Sequence, residues 1–363
     1  MIKYNKQHGF SLIELLIVMG LLAIIAVMTM DAFTMVLKQS SQTMKTVTTE
    51  IDQTIGFDIL RSDIEQAGFG LPWTFKNSIT YAEAASSPAS TYNDSPSNAP
   101  RAILSGNNVG YNSSDYLVIK STLVGENEAA KKWTYISKDT STAPTPKPWT
   151  PVSSGDRVIV IKPLYDATGN NELVMDSGTF YTTYSSSSFA SAFSPATLQE
   201  RFIIYGVDAD TNLRMPFNRA DYYLARPSTG MPSDCAPNTG ILYKATVNHG
   251  DGALITPPMP ILDCVADMQV VFRLGTGLSP SDDITASTAL TAKQIREQVK
   301  EVRVYILFHE GSLDRAYTHG ASTVTVGEGG NGSTFNLAAT IGTDWNRYRW
   351  RVITLAVKPK NLL

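Results

Sequence analysis

Glu14 is the only charged residue between Phe10 and Met30, in a run that opens "FSLIELLIVMG". The run is long enough to span a bilayer, and a carboxylate inside it costs roughly 2.5 to 3.5 kcal/mol on insertion scales. A chain that needed only an anchor would be better served by leucine. The chemistry open to Glu14 is ion pairing with a cation held in the same low-dielectric surroundings. Cys235 and Cys264 are the second candidate: too few for a disulfide framework, they make one pair.

Signals of catalysis or of ligand binding fail on their context. "GEGGNG", Gly327 to Gly332, fits G-x-G-x-x-G, but "STFNLAATIG" follows instead of a clear helix and no βαβ unit surrounds it, so it reads as a loop. His8, His249, His309 and His319 show no metal-ligand spacing. "DADTN" from Asp208 imitates the start of a calcium loop, yet Leu213 stands where glycine is needed and Arg219 where the closing glutamate belongs. It reads as a turn, as does "HGDG" around His249. G-x-S-x-G, H-E-x-x-H and C-x-x-C do not occur. The expectation is a chain that is not an enzyme and carries neither cofactor nor metal.

The elements that must position Glu14 and the cysteines follow from the wider pattern. Of the 363 residues 17% are charged, with a net charge of -3, so no basic field exists to hold nucleic acid. A hydrophobic share of 43% allows a sizeable core, and the length suggests two or so units. "MIKYNKQHG" carries Lys3 and Lys6 and no acid, the cationic flank that stays cytoplasmic. No A-x-A-like cleavage site follows Met30, so the apolar segment is expected to remain as an anchor. Export would place the cysteines in an oxidising compartment, where the simplest outcome is a Cys235–Cys264 bridge. Closing that loop would remove roughly 3 to 4 kcal/mol of denatured-state entropy. The bridge would tie "PSDCAPNTG" to the start of the "MQVVFRL" strand, with "ILYKATVN" as a sheet neighbour.

Beyond the apolar run the helix is expected to continue to about Ala67. Val47, Ile51, Ile55 and Ile59 recur at four-residue spacing, Leu60, Ile64 and Ala67 extend the stripe, and Gly68, Gly70 and Pro72 end it. The texture then changes to strands: "DYLVIKS" from Asp115, "DRVIVIK" from Asp156, "RFIIYGV" from Arg201, "ILYKATVN" from Ile241, "MQVVFRL" from Met268, "VRVYILF" from Val302 and "RYRWRVITLAV" from Arg347. One further helix is expected in "TAKQIREQV" near Thr291. Biased stretches near residues 90, 145 and 185 read as solvated linkers. In the last strand Arg347, Arg349 and Arg351 alternate with Tyr348, Trp350 and Val352, and Ile353, Leu355 and Val357 continue the arginine side as apolar. The three arginines are a solvated face or a docking patch for an acidic neighbour; the solvated face is the simpler reading.

"GFSLIELLIVMGLLAIIA" resembles the leader of type IV pilins and pseudopilins. The resemblance implies that a prepilin peptidase cuts between Gly9 and Phe10 and methylates the new amine of Phe10, and that Glu14 is the family's assembly glutamate. Phe10 and Glu14 would then share one helix face about 6 Å apart along the axis, so Glu14 can pair with its own amine or with a neighbour's. In the family the neighbour's amine is the partner. "EVRVYILFHE", "NRYRWRVITLAVKPKN", "LDCVADMQVVF" and "FDILRSDIEQAGFG" resemble segments of PilW-type minor pilins and, more distantly, of J-type pseudopilins of type II secretion. The implied fold class is α+β: leader 1–9, transmembrane and filament-core helix 10–30, amphipathic continuation 31–70, and a β-rich head 71–363 with a large antiparallel sheet. The implied function is a minor pilin that helps prime or cap pilus assembly; a J-type pseudopilin or a membrane-tethered adhesin are the alternatives. Implied partners are the peptidase, other major and minor pilins, the inner-membrane assembly machinery and inner-membrane lipid. The implied location is the inner membrane, single-pass with a periplasmic head, and then the pilus surface.

Gly9→Val should leave an uncleaved chain in the membrane, because a β-branched residue at the scissile bond stiffens and crowds a backbone that the peptidase must approach. Intact-mass measurement of the membrane fraction checks this; a mature amino terminus at Phe10 in the variant would refute the cleavage assignment.

Overall fold

The computed structural model describes residues 11–140, 143–147, 152–164, 170–275, 283–328 and 330–362; within α1, side chains at 31, 38, 39 and 41–53 are not described. Helix α1 (Leu12–Glu65) is followed by β1 (Thr74–Phe75), β2 (Ile103–Gly106), β3 (Tyr116–Ser121), β4 (Trp133–Ser137), β5 (Arg157–Pro163), β6 (Asn171–Leu173), β7 (Thr182–Thr183) and β8 (Arg201–Asp208). Then come β9 (Asn218–Ala225), β10 (Gly240–Thr246), β11 (Met259–Leu274), α2 (Ala292–Gln298), β12 (Val299–Glu310), β13 (Thr323–Glu328), β14 (Asn331–Asn336), α3 (Leu337–Ile341) and β15 (Arg349–Val357). An apolar N-terminal helical segment followed by a mostly antiparallel β domain is an α+β arrangement. The chain divides between residues 51 and 52, so the last turns of α1 belong with the β domain.

Among the described residues the head has two large sheets, rather than the single expected one, and a two-stranded β13–β14 sheet. A seven-stranded antiparallel sheet runs β15-β12-β11-β10-β9-β3-β2; a six-stranded sheet runs β1-β6-β5-β8-β4, with β7 beside β5 and β1 parallel to β6. In β12, Val302, Val304, Ile306 and Phe308 enter the main core, while Tyr305 and Leu307 enter a second cluster with Trp350, Val326 and Phe335. Covering both faces explains why "VRVYILF" reads as a nearly unbroken apolar run. β15 behaves likewise: Leu355 and Val357 are buried on the arginine side, and Trp350 is buried on the other.

The buried face of α1 keeps the distal part of the expected stripe, Leu60, Ile64 and Ala67, and drops Ile55 and Ile59. Ile55 is 58% exposed and Ile59 only partly buried, whereas Gly56, Leu60, Ile64 and Ala67 face the sheet. Val47 and Ile51 lie outside the described side chains. Gly56 is the reason: a Cβ there would sit 2.0 Å from the Ile261 carbonyl oxygen, so the bare backbone lets the helix approach β11 on this side. Phe57 then packs edge-on against Phe308, with ring centroids 6.4 Å apart. Asp63 fastens the same face through Tyr222 Oη and Lys244 Nζ, each 2.6 Å from its Oδ2. Burial pushes the Asp63 carboxyl up, with Lys244 pulling the other way. The helix ends before Gly68 and Gly70, whose φ of 85° and 69° suit glycine.

The stretch near residue 90 is no solvated linker: Tyr81, Glu83, Ala89, Tyr92 and Asp94 are all buried. Glu83 Oε2 lies 2.7 Å from Lys120 Nζ and 3.1 Å from Arg219 Nη1, and Asp94 bonds Lys120 at 2.6 Å and Arg101 at 2.5 Å. Arg219 donates to both Asp221 oxygens, to Asn93 Oδ1 and to the Ala89 carbonyl as well as to Glu83, so all five of its N–H groups are used. Three cations face three carboxylates. The segment is polar because its side chains face an ionic interior, not water. Ser186, Ser187 and Ser188 are exposed, as expected, and part of the stretch near 145 lies outside the described residues.

Gly56→Ala should lower stability by about 1–3 kcal/mol through overpacking against Ile261, even though alanine is intrinsically better than glycine in a helix by about 1 kcal/mol. A urea midpoint equal to or above that of the parent would show that the close approach is not what seats the helix.

Candidate processing and assembly segment

Gly9 and Phe10 lie outside the described residues; the described segment begins at Ser11. Ser11 occupies the N-cap of α1 and Glu14 the third helical position, and Glu14 Oε2 accepts from the Ser11 backbone N–H at 3.1 Å. Ser11 Oγ accepts from Ile13 N at 3.4 Å. This is close to a capping box, which satisfies backbone donors that a helix start leaves unpaired. The Ser-x-x-Glu spacing of "SLIE" is the sequence signature of this cap. Glu14 is therefore tied to the helix start, where the macrodipole favours a negative charge.

From Leu12 to Leu37 the helix is long and apolar enough to cross a membrane, and none of that stretch is buried by the rest of the chain. Its 26 residues span about 39 Å at 1.5 Å per residue, which exceeds a hydrocarbon core of about 30 Å. Leu12 is 80% exposed, and Ile17, Leu22 and Ile25 are exposed as well. Thr29 spends its hydroxyl on the Ile25 and Ala26 carbonyls at 2.9 and 3.0 Å, so no side-chain donor is left open there. Gly20 meets nothing within 4 Å, leaving a flat spot on an apolar cylinder.

In the head, Cys235 and Cys264 are joined in a disulfide with Cα atoms 4.8 Å apart. Cys264 lies inside β11 rather than ahead of it, because that strand begins at Met259. It adopts φ of 58° between two register shifts, one against β10 and one against β12, so the bridge pins the chain at a β-bulge. Beside the bridge, Ala236 N donates to His309 Nε2 at 2.8 Å. That ring is fully enclosed with Tyr348 and Trp350, at centroid distances of 4.6 and 5.1 Å.

The remaining sequence candidates are structural. The "GEGGNG" stretch holds the paired ends of β13 and β14 rather than a loop throughout: Gly327 pairs with Gly332 and Glu328 with Asn331, a Cβ on Gly327 would meet the Asn331 carbonyl oxygen at 2.1 Å, and Gly329 lies outside the described residues. The Asp208 carboxylate accepts from Asp210 N and Thr211 N, which makes the turn. His249 accepts from Arg214 N at 3.2 Å and lies 3.2 Å from Asn218 Oδ1. Among the described residues no group of three or more His, Cys, Asp or Glu side chains is arranged as metal ligands would be. Arg349 lies 2.9 Å from Asp314, Arg351 bonds Glu310, and Arg347 donates to the Tyr317 carbonyl at 2.8 Å. The arginine face is thus solvent-facing yet already paired within the chain.

Residues 4–30 match the model of the prokaryotic N-terminal methylation motif. No curated protein and no solved structure matches the chain. The motif supports a type IV pilin- or pseudopilin-like protein, processed by a prepilin peptidase and associated with a pilin assembly system.

Burial pushes the His309 imidazole down to about 4. A base whose folded pKa lies below its unfolded value near 6.5 contributes stability that is complete above pH 6.5 and is lost as pH falls toward 4. Asp115, which accepts from Asn108 N and Val270 N and is pushed up to about 7 by burial, acts in the opposite sense, so a difference measurement isolates the histidine. His309→Gln removes the titration, and its stability relative to the parent should rise by about 3 kcal/mol between pH 6.5 and 4. Parallel stability curves in urea across that range would refute the assignment.

Proposed function

We propose that the chain is a non-catalytic minor pilin of the PilW type, cut after Gly9, methylated on the Phe10 amine, and incorporated into a filament through its N-terminal helix. The observation that carries this is the Leu12–Leu37 helix: uncharged from Leu15 to Met30, with its apolar side chains exposed, and opened by a glutamate bonded to the helix start inside a methylation motif. Such a surface is stable in lipid or among copies of itself and nowhere else in water. In the membrane, with the head in the periplasm, lipid covers it; in a filament, neighbouring pilins do. Heterologous contacts repeated along one axis then build an open helical assembly.

Glu14 supplies the register. Four residues separate positions 10 and 14, so a helix continued to residue 10 would bring an amine there, or that of a neighbouring chain, within reach of the carboxylate. An amine with an ordinary pKa of about 7.7–8 is cationic at neutral pH, and a pair formed away from water is stronger than one at a surface. Extraction from lipid into the filament thus exchanges one low-dielectric environment for another while giving the carboxylate a fixed partner. The large head favours a rare position, in a complex that primes or caps the shaft, over a place at every lattice site.

Glu14→Ala should leave peptidase cleavage intact and sharply reduce recovery of the chain in sheared filaments. Quantitative mass spectrometry of the sheared and membrane fractions checks both halves. Undiminished recovery in filaments would remove Glu14 from assembly, and absence of the parent chain from filaments would overturn the minor-pilin reading.

A further inference from the structure

The seven-stranded sheet ends on β15, and the direction of that strand's backbone groups follows from parity. Phe272 of β11 exchanges both of its backbone hydrogen bonds with Ile284, at 2.8 and 3.0 Å, so its N–H and C=O point away from β12. Opposite residues of an antiparallel ladder alternate between pairs that exchange bonds and pairs that do not. Val302, opposite Phe272, therefore turns its own groups toward β15, as do Val304, Ile306 and Phe308. Their partners on β15 are Val357, Leu355, Ile353 and Arg351. The alternate residues Val352, Thr354 and Ala356 then point three N–H and three C=O groups out of the sheet. Trp350 obeys the same parity, donating its N–H to the Tyr348 carbonyl instead of to β12. No group among the described residues bonds the six outward groups, and Thr354 and Ala356 are exposed.

The other edges of the two large sheets are short or occupied. β2, on the far side of the same sheet, has four residues, and its Ser105 N donates to Ser287 Oγ at 3.0 Å. At the β4 edge, Lys147 N donates to the Tyr135 carbonyl at 2.9 Å and Ile136 bridges to Pro146. β1 and β7 have two residues each. β15 lacks the devices that usually blunt an edge: Arg349–Val357 contains no proline, its pairing with β12 has no register shift, and Val352 to Val357 carry no charge. Its two arginines lie at one end and are paired with Asp314 and Glu310. A row of alternating donors and acceptors along an uncharged strand is complementary to another extended backbone.

A second copy does not supply that backbone through the same edge. Two antiparallel edges are related by a twofold axis normal to the sheet, which would turn the last turns of α1 end for end in one copy. Chains anchored in one membrane share one orientation. We propose that β15 receives an extended strand from a different subunit of the assembly, with Val352, Thr354 and Ala356 each exchanging a pair of backbone bonds with it. The incoming segment carries no proline where it faces β15, because each such position must donate. Its side chains beside Ile353 are apolar, since Ile353 is half-buried and Leu355 and Val357 are buried on that face. Those beside Thr354 and Ala356 face small, open side chains and are less restricted. The source of the strand rests on the filament reading, whereas the free edge does not.

The test is residue-resolved amide hydrogen exchange of the full-length chain, read by mass spectrometry, in detergent micelles and in sheared filaments. In micelles the amides of Val352, Thr354 and Ala356 should exchange fast and those of Ile353, Leu355 and Val357 slowly. In filaments the first three should slow by at least about 10-fold. Thr354→Pro deletes one outward N–H and spares the bonds to β12, a position where an edge strand tolerates proline. This variant should keep slow exchange at Ile353, Leu355 and Val357 and should fall roughly 10-fold in filament recovery, having lost a hydrogen bond and placed a ring at the contact. The exchange comparison uses the parent chain, so a variant that misfolds cannot mask the answer. Three outcomes would overturn the proposal and leave the filament reading standing: protection of Val352, Thr354 and Ala356 already in micelles, no slowing in filaments, or undiminished recovery of a folded Thr354→Pro chain. Absence of the parent chain from filaments would overturn both.

Discussion

Where α1 meets the seven-stranded sheet, a backbone with no side chain rests against the Ile261 carbonyl of β11, and the seating of the helix on the head follows from that approach. With Gly56 at the point of contact, Leu60, Ile64 and Ala67 turn inward and Ile55 turns out. Asp63 arrives opposite Tyr222 and Lys244 on β9 and β10. Any other residue at 56 would lift the helix by about the thickness of a methyl group, and every distance downstream would change. The head is thus organised around a place where a side chain is missing, and close packing of apolar groups elsewhere depends on that omission.

The opposite face of the same sheet is organised by charge. Lys120 and Arg219 meet Glu83, Asp94 and Asp221 in the interior, where each loses its hydration, and the half-buried Arg101 joins them at the edge through Asp94. Such clusters add little net stability over well-packed apolar residues, and removal of a single member leaves an uncompensated charge. Their contribution here is positional: they fix the 81–101 segment to β3 and β9. That in turn aligns Asn98 and Arg101 along one wall of a cavity beside β1.

How far the sequence showed this depends on the signal. Strands covered on both faces announced themselves as apolar runs, and β12 is where "VRVYILF" placed it. β9 was not recognised, because "NRADYYLA" carries Arg219 and Asp221 inward to an ionic partner set that only tertiary structure assembles. β2 and β4 are too short to stand out, and the β13–β14 hairpin hid behind a glycine pattern that suggested a loop. Four-residue spacing located α1 and, in Leu60, Ile64 and Ala67, its buried face, but misplaced Ile55 and Ile59, since periodicity counts apolar residues and cannot weigh a glycine that permits close approach. At the N-terminal segment the motif and the isolated carboxylate were readable, whereas the capping contact was obscured by its own simplicity.

The end of α1 also links events far apart in synthesis. Lys360 donates its backbone N–H to the Glu65 carbonyl at 2.8 Å and pairs its side chain with the Glu65 carboxylate. The last turn of the helix is therefore completed by residues made almost 300 positions later. Contacts of such long sequence separation close late and slow folding, because loop entropy is lost before the contact is gained. A chain emerging amino terminus first holds an exposed apolar helix ready for its surroundings long before the head can lock. The order of manufacture thereby separates anchoring from folding in time.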